Sequence, residues 1–419
     1  MAAGYLEILR ARHAARLLTG TLVGRLPNAT AAIALVLFVR AEGGTYSLAG
    51  GLAAVYGVAN AVGQPVLGRL VDLHGQPRVQ LPAAVLAALA MTAFAFSGTD
   101  PLPLAYVCVA AAGLFTPPLE GGLRALWPSV LRREEQVHTA YAMDAIAQEV
   151  MFTVGPLLVT LCVSLWSERA ALLVLNAVGV LGALSVVVSP PSRAWRSAPR
   201  EAHWLGALRS PGLLALLGAF LFIGIALGSI TVASVPYADD HGGDAVYGWL
   251  MAALGLGALI GGTVYGARRW GGTPERRLRL LVALLAVCYL PLTLMPGTVA
   301  MVLLTLVAGV FLAPCIACAF IIVDRHAPSG TVTEAFSWLV TTFTVGASVG
   351  TGLAGPVVQT GGALWGFALP AAAGAVSLLV LLATGRVLAA PVRGGVVAAS
   401  SENDPNRAVE PRFSSGDRA

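Results

Sequence analysis

The stretch GRLVDLHGQPR, residues 68–78, separates two long apolar segments and brings glycines, a carboxylate and a cation into eleven residues. Gly68 permits the close approach of a neighbouring helix, and Asp72 follows it one helical turn later. Gly75 permits a tight turn, and Arg78 supplies a cation beyond that turn. The Asp72 carboxylate could cap the N-terminus of another helix or pair with an Arg at a neighbouring helix end. The alternative is an ordinary glycine-rich turn with a solvated Asp72.

The apolar segments on either side of this stretch belong to a chain whose solvent is lipid. Hydrophobic residues form 57% of the 419 positions and charged residues only 11%, whereas soluble domains carry about 25% charged residues. Many apolar runs reach about 20 residues, enough to cross a hydrocarbon core of about 30 Å as a helix. Membrane β-strands would be about 10 residues long with strict alternation, and these runs have neither property. The composition therefore predicts an all-α membrane protein.

The apolar runs define twelve candidate spans. Their approximate bounds are 17–39, 45–67, 79–98, 102–125, 140–163, 170–189, 211–235, 246–267, 279–296, 298–322, 335–358 and 363–386. The polar segment PPSRAWRSAPREAHWLG splits the spans into six and six. The expected units are an N-terminal six-helix bundle (1–189), a cytoplasmic linker (190–210), a C-terminal six-helix bundle (211–388) and a disordered cytoplasmic tail (389–419).

The two halves repeat each other weakly. TAYAMDAIAQEVMFTVGPLLV in span five resembles TEAFSWLVTTFTVGASVGTGLAGPVV in span eleven. Both stretches contain a Gly-Pro pair near their ends, Gly155-Pro156 and Gly355-Pro356, where we expect the helices to bend. Two parallel six-helix halves are a known plan of transporters, with the substrate site between the halves near the bilayer midplane.

The arginines indicate the orientation of the spans. If both termini are cytoplasmic, clusters of Arg fall on the cytoplasmic side, whereas the opposite side keeps only Arg40 and Arg169. The clusters include Arg10, Arg12, Arg16, Arg132, Arg133, Arg193, Arg196, Arg200, Arg209, Arg268, Arg269, Arg276, Arg277 and Arg279. This asymmetry follows the positive-inside rule and predicts a multi-pass protein of the cell membrane with cytoplasmic termini. The net charge of +5 then reflects topology, so no nucleic-acid partner is expected.

The segment 68–78 resembles the loop motif G-x-L-x-D-R-x-G-R-R/K of the major facilitator superfamily, and the layout of six plus six spans is similar over nearly the whole chain. Four positions match the motif: Gly68, Leu70, Asp72 and Gly75. Leu73 and Gln76 stand where the family has Arg, and Arg78 lies two positions later. The resemblance implies that Asp72 helps to hold the outward-facing state. Asp72→Asn is then expected to impair transport without preventing membrane insertion.

The first span contains a polar group within the stretch VGRLPNATAAIALVLF, residues 23–38. Arg25 is expected about 12 Å deep, with Asn28 within one turn of it. Glu149 has a similar depth in span five, a neighbour of span one in the resembling family, so we expect an ion pair between Arg25 and Glu149. The pair could be structural. It could also belong to the substrate or proton site, because a carboxylate that alternates between a cation and low dielectric can load and release a proton.

A second polar group lies in LFTPPLEGGLRALWP at the fourth span. Glu120 precedes Arg124 by one helical turn, the order that favours a local ion pair. The two prolines before Glu120 would loosen the backbone and free carbonyl groups for a cavity or water. The pair could lie at the cytoplasmic interface or take part in coupling. By the family resemblance, Arg124 and Asp144 are expected to be partners of Asp72 in a relay close to the loop.

These observations predict a secondary active transporter that works by alternating access. We expect proton-coupled export of small organic molecules, since Gly155 and Pro156 match part of the exporter signature G-x-x-x-G-P-x-x-G-G of the resembling family. The apolar cavity-lining spans favour a lipophilic or weakly polar substrate. The alternatives are an importer of a metabolite and a membrane sensor or assembly factor that has lost transport. We expect no catalytic site, no metal and no cofactor, and a monomer in the lipid bilayer.

Overall fold

The computed structural model describes residues 2–131, 133–199, 203–268 and 270–389, and every regular element in these ranges is a helix. The predicted tail lies outside the described residues from position 390 onward, and so do Arg132, Arg200 and Arg269 of the arginine clusters. The prediction of an all-α protein is confirmed for the described part of the chain.

The first half begins with the short helix α1 (Ala2–Arg10). Its membrane segments are α2 (Ala14–Ala41), α3 (Tyr46–His74), α4 (Gln76–Ser97), a broken segment of α5 (Leu102–Leu114) and α6 (Leu119–Val130), then α7 (Glu134–Leu165) and α8 (Glu168–Val187). A short helix α9 (Pro190–Ala194) and a 3-10 turn (Gly206–Arg209) follow in the linker.

The second half repeats this order of segments. They are α10 (Pro211–His241), α11 (Asp244–Ala267), α12 (Pro274–Tyr289) with a 3-10 extension (Leu290–Leu294), a broken segment of α13 (Thr298–Gly309) and α14 (Leu312–His326), and α15 (Val332–Ala383). A short helix α16 (Gly385–Ala389) closes the described part. Gly362 in α15 has a φ of 75° and a ψ of −174°, which is not helical, so α15 contains two spans.

The segments add up to the twelve predicted spans. Ten segments of the described chain are long and apolar enough to cross a membrane. The division of α15 at Gly362 supplies an eleventh, and the 29-residue α3 supplies the twelfth. Helices α2, α7 and α15 begin at one end of the bundle, and α3 reaches the same end with its last residue. We call this end the termini end and the opposite end the far end.

The two halves are in contact at the termini end. Tyr5 donates from its hydroxyl to the carbonyl oxygen of Thr263 at 3.0 Å, which links α1 to α11. Thr139 of α7 donates in the same way to the carbonyl oxygen of Gly266 at 3.1 Å. Within each half, small residues let helices approach closely, as membrane helices commonly do. A Cβ atom on Gly182 of α8, for example, would lie 2.7 Å from the Cα atom of Gly24 in α2.

Candidate functional site

Four charged side chains from three helices form a closed ring of ion pairs inside the first half. Arg25 of α2 contacts Glu120 Oε1 at 2.7 Å and Asp144 Oδ1 at 3.3 Å. Arg124 of α6 contacts the remaining oxygens, Asp144 Oδ2 at 2.6 Å and Glu120 Oε2 at 3.2 Å. Each carboxylate therefore bridges both guanidinium groups. We call these four residues the charge ring.

The charge ring is buried, but unevenly. The side chains of Arg124 and Asp144 are 0% exposed, that of Arg25 is 8% exposed and that of Glu120 is 15% exposed. Two cations and two anions cancel when all four are ionised, which offsets much of the cost of holding charges away from water. Because this balance needs all four members, removing or neutralising one leaves a buried charge uncompensated. Glu120 is the member that water and a substrate can reach most easily.

A break in the fourth segment positions Glu120. Pro117 and Pro118 cannot continue a regular helix, so α5 ends and α6 starts anew. Glu120 lies in the first turn of α6, where the positive end of the helix dipole stabilises a carboxylate. Arg124 lies one turn further, on the same face. The second half has its own break between α13 and α14, and broken helices at corresponding places in two halves mark binding sites in transporters.

Arg124 also connects the charge ring to the second half. Its Cζ atom lies 3.8 Å from the centroid of the Phe320 ring in α14 and 5.9 Å from that of Phe336 in α15. Tyr141 of α7 packs beside both rings, with centroid distances of 6.1 and 5.9 Å. A cation held over an aromatic face is worth about 0.5–2 kcal/mol. The contact between Arg124 and Phe320 therefore favours the arrangement in which the halves meet at the termini end.

A cavity of about 290 Å³ lies between the halves beside the charge ring. Most of its wall comes from α2, α3, α7 and the break before α6, whereas α15 supplies the side of the second half. Its polar lining consists of Arg25, Asn28, Tyr56, Asn60, Gln64, Thr116, Glu120, Gln148, Thr341 and Thr344. All amide and charged side chains of this lining belong to the first half. The first half therefore supplies a polar wall of the cavity, whereas the polar groups on the wall of the second half are the hydroxyls of Thr341 and Thr344.

The polar wall is a hydrogen-bonded network that the sequence analysis missed. Gln64 donates from Nε2 to Asn60 Oδ1 at 3.2 Å and to the carbonyl oxygen of Thr116 at 3.0 Å. The Tyr56 hydroxyl donates to Asn28 Oδ1 at 3.4 Å and lies 3.1 Å from Thr116 Oγ1. A signal for this wall was present in the sequence, because Tyr56, Asn60 and Gln64 recur every four residues and so share one face of an otherwise apolar helix.

Asp72 caps a helix of the other half. Its Oδ1 accepts from the backbone N–H of Thr333 at 3.1 Å, and its Oδ2 accepts from that of Glu334 at 2.9 Å. These are N–H groups of the first turn of α15, and Thr331, which precedes α15, makes no side-chain cap. Asp72 is only 7% exposed, so its charge lies at the positive end of the helix dipole with little water between them. Of the two roles that the sequence left open, capping is the one observed.

Glycines let α15 reach the Asp72 carboxylate. A Cβ atom on Gly68 would lie 2.7 Å from Ser337 Oγ and 3.1 Å from Glu334 Cα. A Cβ atom on Gly121 of α6 would lie 3.0 Å from the carbonyl oxygen of Thr333. The start of α15 therefore sits directly on α3 and α6. Larger side chains at either glycine would push it away.

The sequence matches the family described as the Major Facilitator Superfamily over residues 17–351. This chain belongs to the major facilitator superfamily. A bacterial homologue of the iron transporter ferroportin, in its outward-facing state, has a similar structure, with a TM-score of 0.73 and 17% identity, covering 90% of this chain and 100% of the other. The human organic anion transporter TETRAN has a TM-score of 0.65 and 17% identity, covering 87% of this chain and 99% of its own.

A third superfamily structure, the E. coli fucose:proton symporter FucP, has a TM-score of 0.65 and 17% identity, covering 88% of this chain and 97% of its own. No curated protein sequence matches the chain. At these identities the structural similarity establishes the fold. The chain is thus a multi-pass membrane protein with the fold of a secondary transporter.

The prediction that Arg25 forms an ion pair with Glu149 is wrong. The ion pairs of Arg25 with described residues are those to Glu120 and Asp144. Asp144 and Gln148 are four residues apart on α7 and share the face that points to α2 and the cavity. Glu149 is five residues beyond Asp144, so it projects about 140° away from that carboxylate around the helix. A similar depth in the membrane was not enough to identify the partner.

The predicted relay of Asp72, Arg124 and Asp144 is corrected in part. Arg124 and Asp144 do pair, but Asp72 binds the backbone of α15 instead of this pair. Arg78 is exposed and forms no ion pair with the described residues. Gln76, which stands where the family has Arg, is buried and donates to the carbonyl oxygen of Gly122 at 2.9 Å. A neutral hydrogen bond thus replaces a charged contact at this position.

The Gly-Pro pairs lie within continuous helix. Helix α7 runs through Gly155-Pro156, and α15 runs through Gly355-Pro356 and is interrupted only later, at Gly362. A Cβ atom on Gly155 would lie 3.2 Å from Thr30 Cγ2, so this glycine serves the packing of α7 on α2. A bend at either pair stays a prediction.

Proposed function

We propose that this protein is a proton-coupled secondary transporter that exports small organic molecules across the cell membrane by alternating access. The observation that supports the proposal best is the charge ring, since it places a carboxylate that can be protonated on the wall of the cavity between the halves. One chain supplies both sides of that cavity, which supports a monomer as the working unit. The positive-inside asymmetry of the arginines supports cytoplasmic termini, and the termini end is then the cytoplasmic end.

Glu120 is the proposed proton carrier. With all members ionised, the charge ring is neutral and holds α2, α6 and α7 together. A proton on Glu120 would leave two guanidinium groups with the single carboxylate of Asp144. The protonated carboxyl would offer an incoming substrate a weaker hydrogen-bond acceptor on the cavity wall, so the proton would weaken substrate binding without abolishing it. Substrate and proton would therefore compete for Glu120, which is the relation that an antiporter requires.

The Asp72 cap is the proposed latch of the cytoplasmic end. While Asp72 holds the start of α15 and Arg124 stacks on Phe320, the two halves are joined on that side. Breaking both contacts would let the halves separate there and admit substrate from the cytoplasm. Because Arg124 belongs to the charge ring, a change of protonation in the ring would also weaken the stacking contact. Proton binding and the change of access are coupled through this one side chain.

The lining of the cavity supports a polar substrate, whereas the apolar spans favoured a lipophilic or weakly polar one. Four amide side chains, Asn28, Asn60, Gln64 and Gln148, face the cavity together with hydroxyl groups. Buried donors and acceptors of this kind favour a ligand that completes their hydrogen bonds and reject one that does not. The polar wall also favours a second candidate function, import of a polar metabolite, and the similar structure of a fucose:proton symporter supports it.

The proposal is tested in proteoliposomes that contain the pH-sensitive dye pyranine. A panel of small neutral, cationic and anionic compounds is added on one side, with and without an imposed pH gradient. An exporter of the proposed type moves protons opposite to the compound, and an importer moves them with it. If no compound in the panel moves and no compound changes the luminal pH, the alternative of a membrane sensor without transport is favoured.

A further inference from the structure

A basic groove lies on the outer surface of the first half at the termini end, away from the central cavity. It has a volume of about 430 Å³ and is bounded by His74 at the end of α3, the start of α4, the end of α8 and the chain that follows α8. Its charged lining consists of Arg78, Arg193 and Arg196, and its floor includes Leu81, Val187 and Val188. We call it the basic groove.

The charge of the basic groove is uncompensated within the described residues. Arg78, Arg193 and Arg196 are all exposed, and none forms an ion pair with a described residue. No described lining residue of the groove is acidic. The 22-residue helix α4 also directs its N-terminal, positive end at this place. Three guanidinium groups and a helix N-terminus make a site for an anion with several oxygen atoms, such as a phosphate diester or monoester.

A buried hydrogen bond and two exposed ones hold the groove in shape. Ser192 of α9 donates to Gln76 Oε1 at 2.8 Å, and both side chains are 0% exposed, so α9 is fixed against the start of α4. Arg196 donates from NH1 to the carbonyl oxygen of Trp195 at 2.7 Å and to that of Arg193 at 3.0 Å. One nitrogen of Arg196 is therefore engaged, and the rest of its guanidinium group remains available. Arg196 is therefore held in place before any ligand arrives.

The floor of the groove continues into an exposed apolar stripe along α4, a surface that acyl chains can cover. From Leu81, exposed apolar residues recur along α4 at Val85 and Leu89, which are 38% and 59% exposed. Their spacing of four places them in one stripe on the helix. Val188 at the end of α8 is 47% exposed beside the same stripe. A soluble phosphate compound would use only the arginines, whereas a phospholipid would also cover the stripe.

We propose that the basic groove binds the phosphate group of an anionic phospholipid, with an acyl chain along the stripe of α4. Clusters of basic residues at the ends of membrane helices attract anionic lipids by about 1 kcal/mol per cation, or about fivefold in affinity. Three arginines together would favour an anionic over a zwitterionic lipid by about 100-fold at low ionic strength.

The full chain is reconstituted in nanodiscs of phosphatidylcholine, and a fluorescent phosphatidylglycerol is titrated against the neutral lipid. The variant R78Q/R193Q/R196Q is expected to lose most of the preference for phosphatidylglycerol. R78K/R193K/R196K keeps the charge and is expected to keep the preference. R10Q/R12Q/R276Q removes three exposed arginines of the same end but outside the groove, and is expected to behave like the unaltered protein. Elution as a single species in size-exclusion chromatography establishes that each variant is folded.

The proposal is overturned if the two Gln variants lose the preference equally, because the attraction would then be diffuse. It is also overturned if the groove variant binds phosphatidylglycerol as the unaltered protein does. Glycerol phosphate is added as a soluble competitor at millimolar concentration. If it displaces the lipid with an affinity equal to that of phosphatidylglycerol, the site takes a free phosphate compound, and the lipid assignment is wrong.

Discussion

Asp72→Asn is expected to open the termini end. The carboxylate accepts two backbone N–H bonds at 3.1 and 2.9 Å from the first turn of α15. The amide side chain offers one acceptor oxygen and no charge, so one hydrogen bond and the interaction with the helix dipole are lost. Hydrogen bonds to charged groups contribute about 1.5–3 kcal/mol. Such a loss lowers the ratio of closed to open molecules at this end by about 10- to 150-fold.

The population is measured as a distribution of distances between two spin labels. Ser129 in the first half and Arg276 in the second are exposed at the termini end, and each is replaced by Cys for labelling. The five native cysteines are first replaced by Ala. Double electron–electron resonance then reports the short and long distances of the closed and open states. Asp72→Asn is expected to move the distribution toward long distances.

Asp240→Asn is the matched control, since it makes the same chemical change at an exposed Asp of the far end. It is expected to leave the distribution unchanged. If Asp72→Asn also leaves the distribution unchanged while the protein is folded, the cap does not hold the halves together. The latch must then be assigned to other contacts.

Three further predictions follow from the packing. Arg124→Leu leaves the two carboxylates of the charge ring with one guanidinium group and is expected to destabilise the protein by about 3–5 kcal/mol. The measurement is the midpoint of thermal unfolding in detergent, which should fall. An unchanged midpoint would contradict a tightly held ring. Gly68→Val places side-chain atoms where Ser337 lies and is expected to increase the long distances in the spin-label experiment, whereas Gly355→Ala, which meets nothing within 4 Å, is expected not to. Tyr56→Phe removes the hydroxyl bonded to Asn28 and is expected to weaken substrate binding by about 1 kcal/mol, or about fivefold, in a binding titration; unchanged binding would remove the polar wall from recognition.

The fold was predictable because membrane spans obey simple rules of length, apolarity and charge asymmetry. The motif around Asp72 and the polar groups of the first and fourth spans were also visible as departures from apolarity. A break at the prolines before Glu120 was predictable for the same reason, since proline cannot donate the hydrogen bond that helix continuity requires. Each of these features is a property of a single segment.

Partnerships between segments were harder to predict. Arg25 and Glu149 were paired because they have a similar depth in the membrane. The partner of Arg25 depends instead on the rotation of α7 about its axis, which directs Asp144 toward α2. The contact between Arg124 and Phe320 joins residues of different halves, and no local pattern of the sequence predicts it. The polar stripe of α3 was predictable from its period of four and was overlooked, because its members are uncharged.

The most direct test of the account measures proton movement by Glu120→Gln in pyranine-loaded proteoliposomes, with a compound that the unaltered protein transports. The charge ring predicts that this variant still exchanges labelled for unlabelled compound but no longer moves protons in the direction opposite to the compound. Glu42→Gln, at the exposed ion pair with Arg169, should retain both activities. Proton movement that persists in Glu120→Gln, or that is lost in Glu149→Gln instead, would contradict the assignment of coupling to the charge ring.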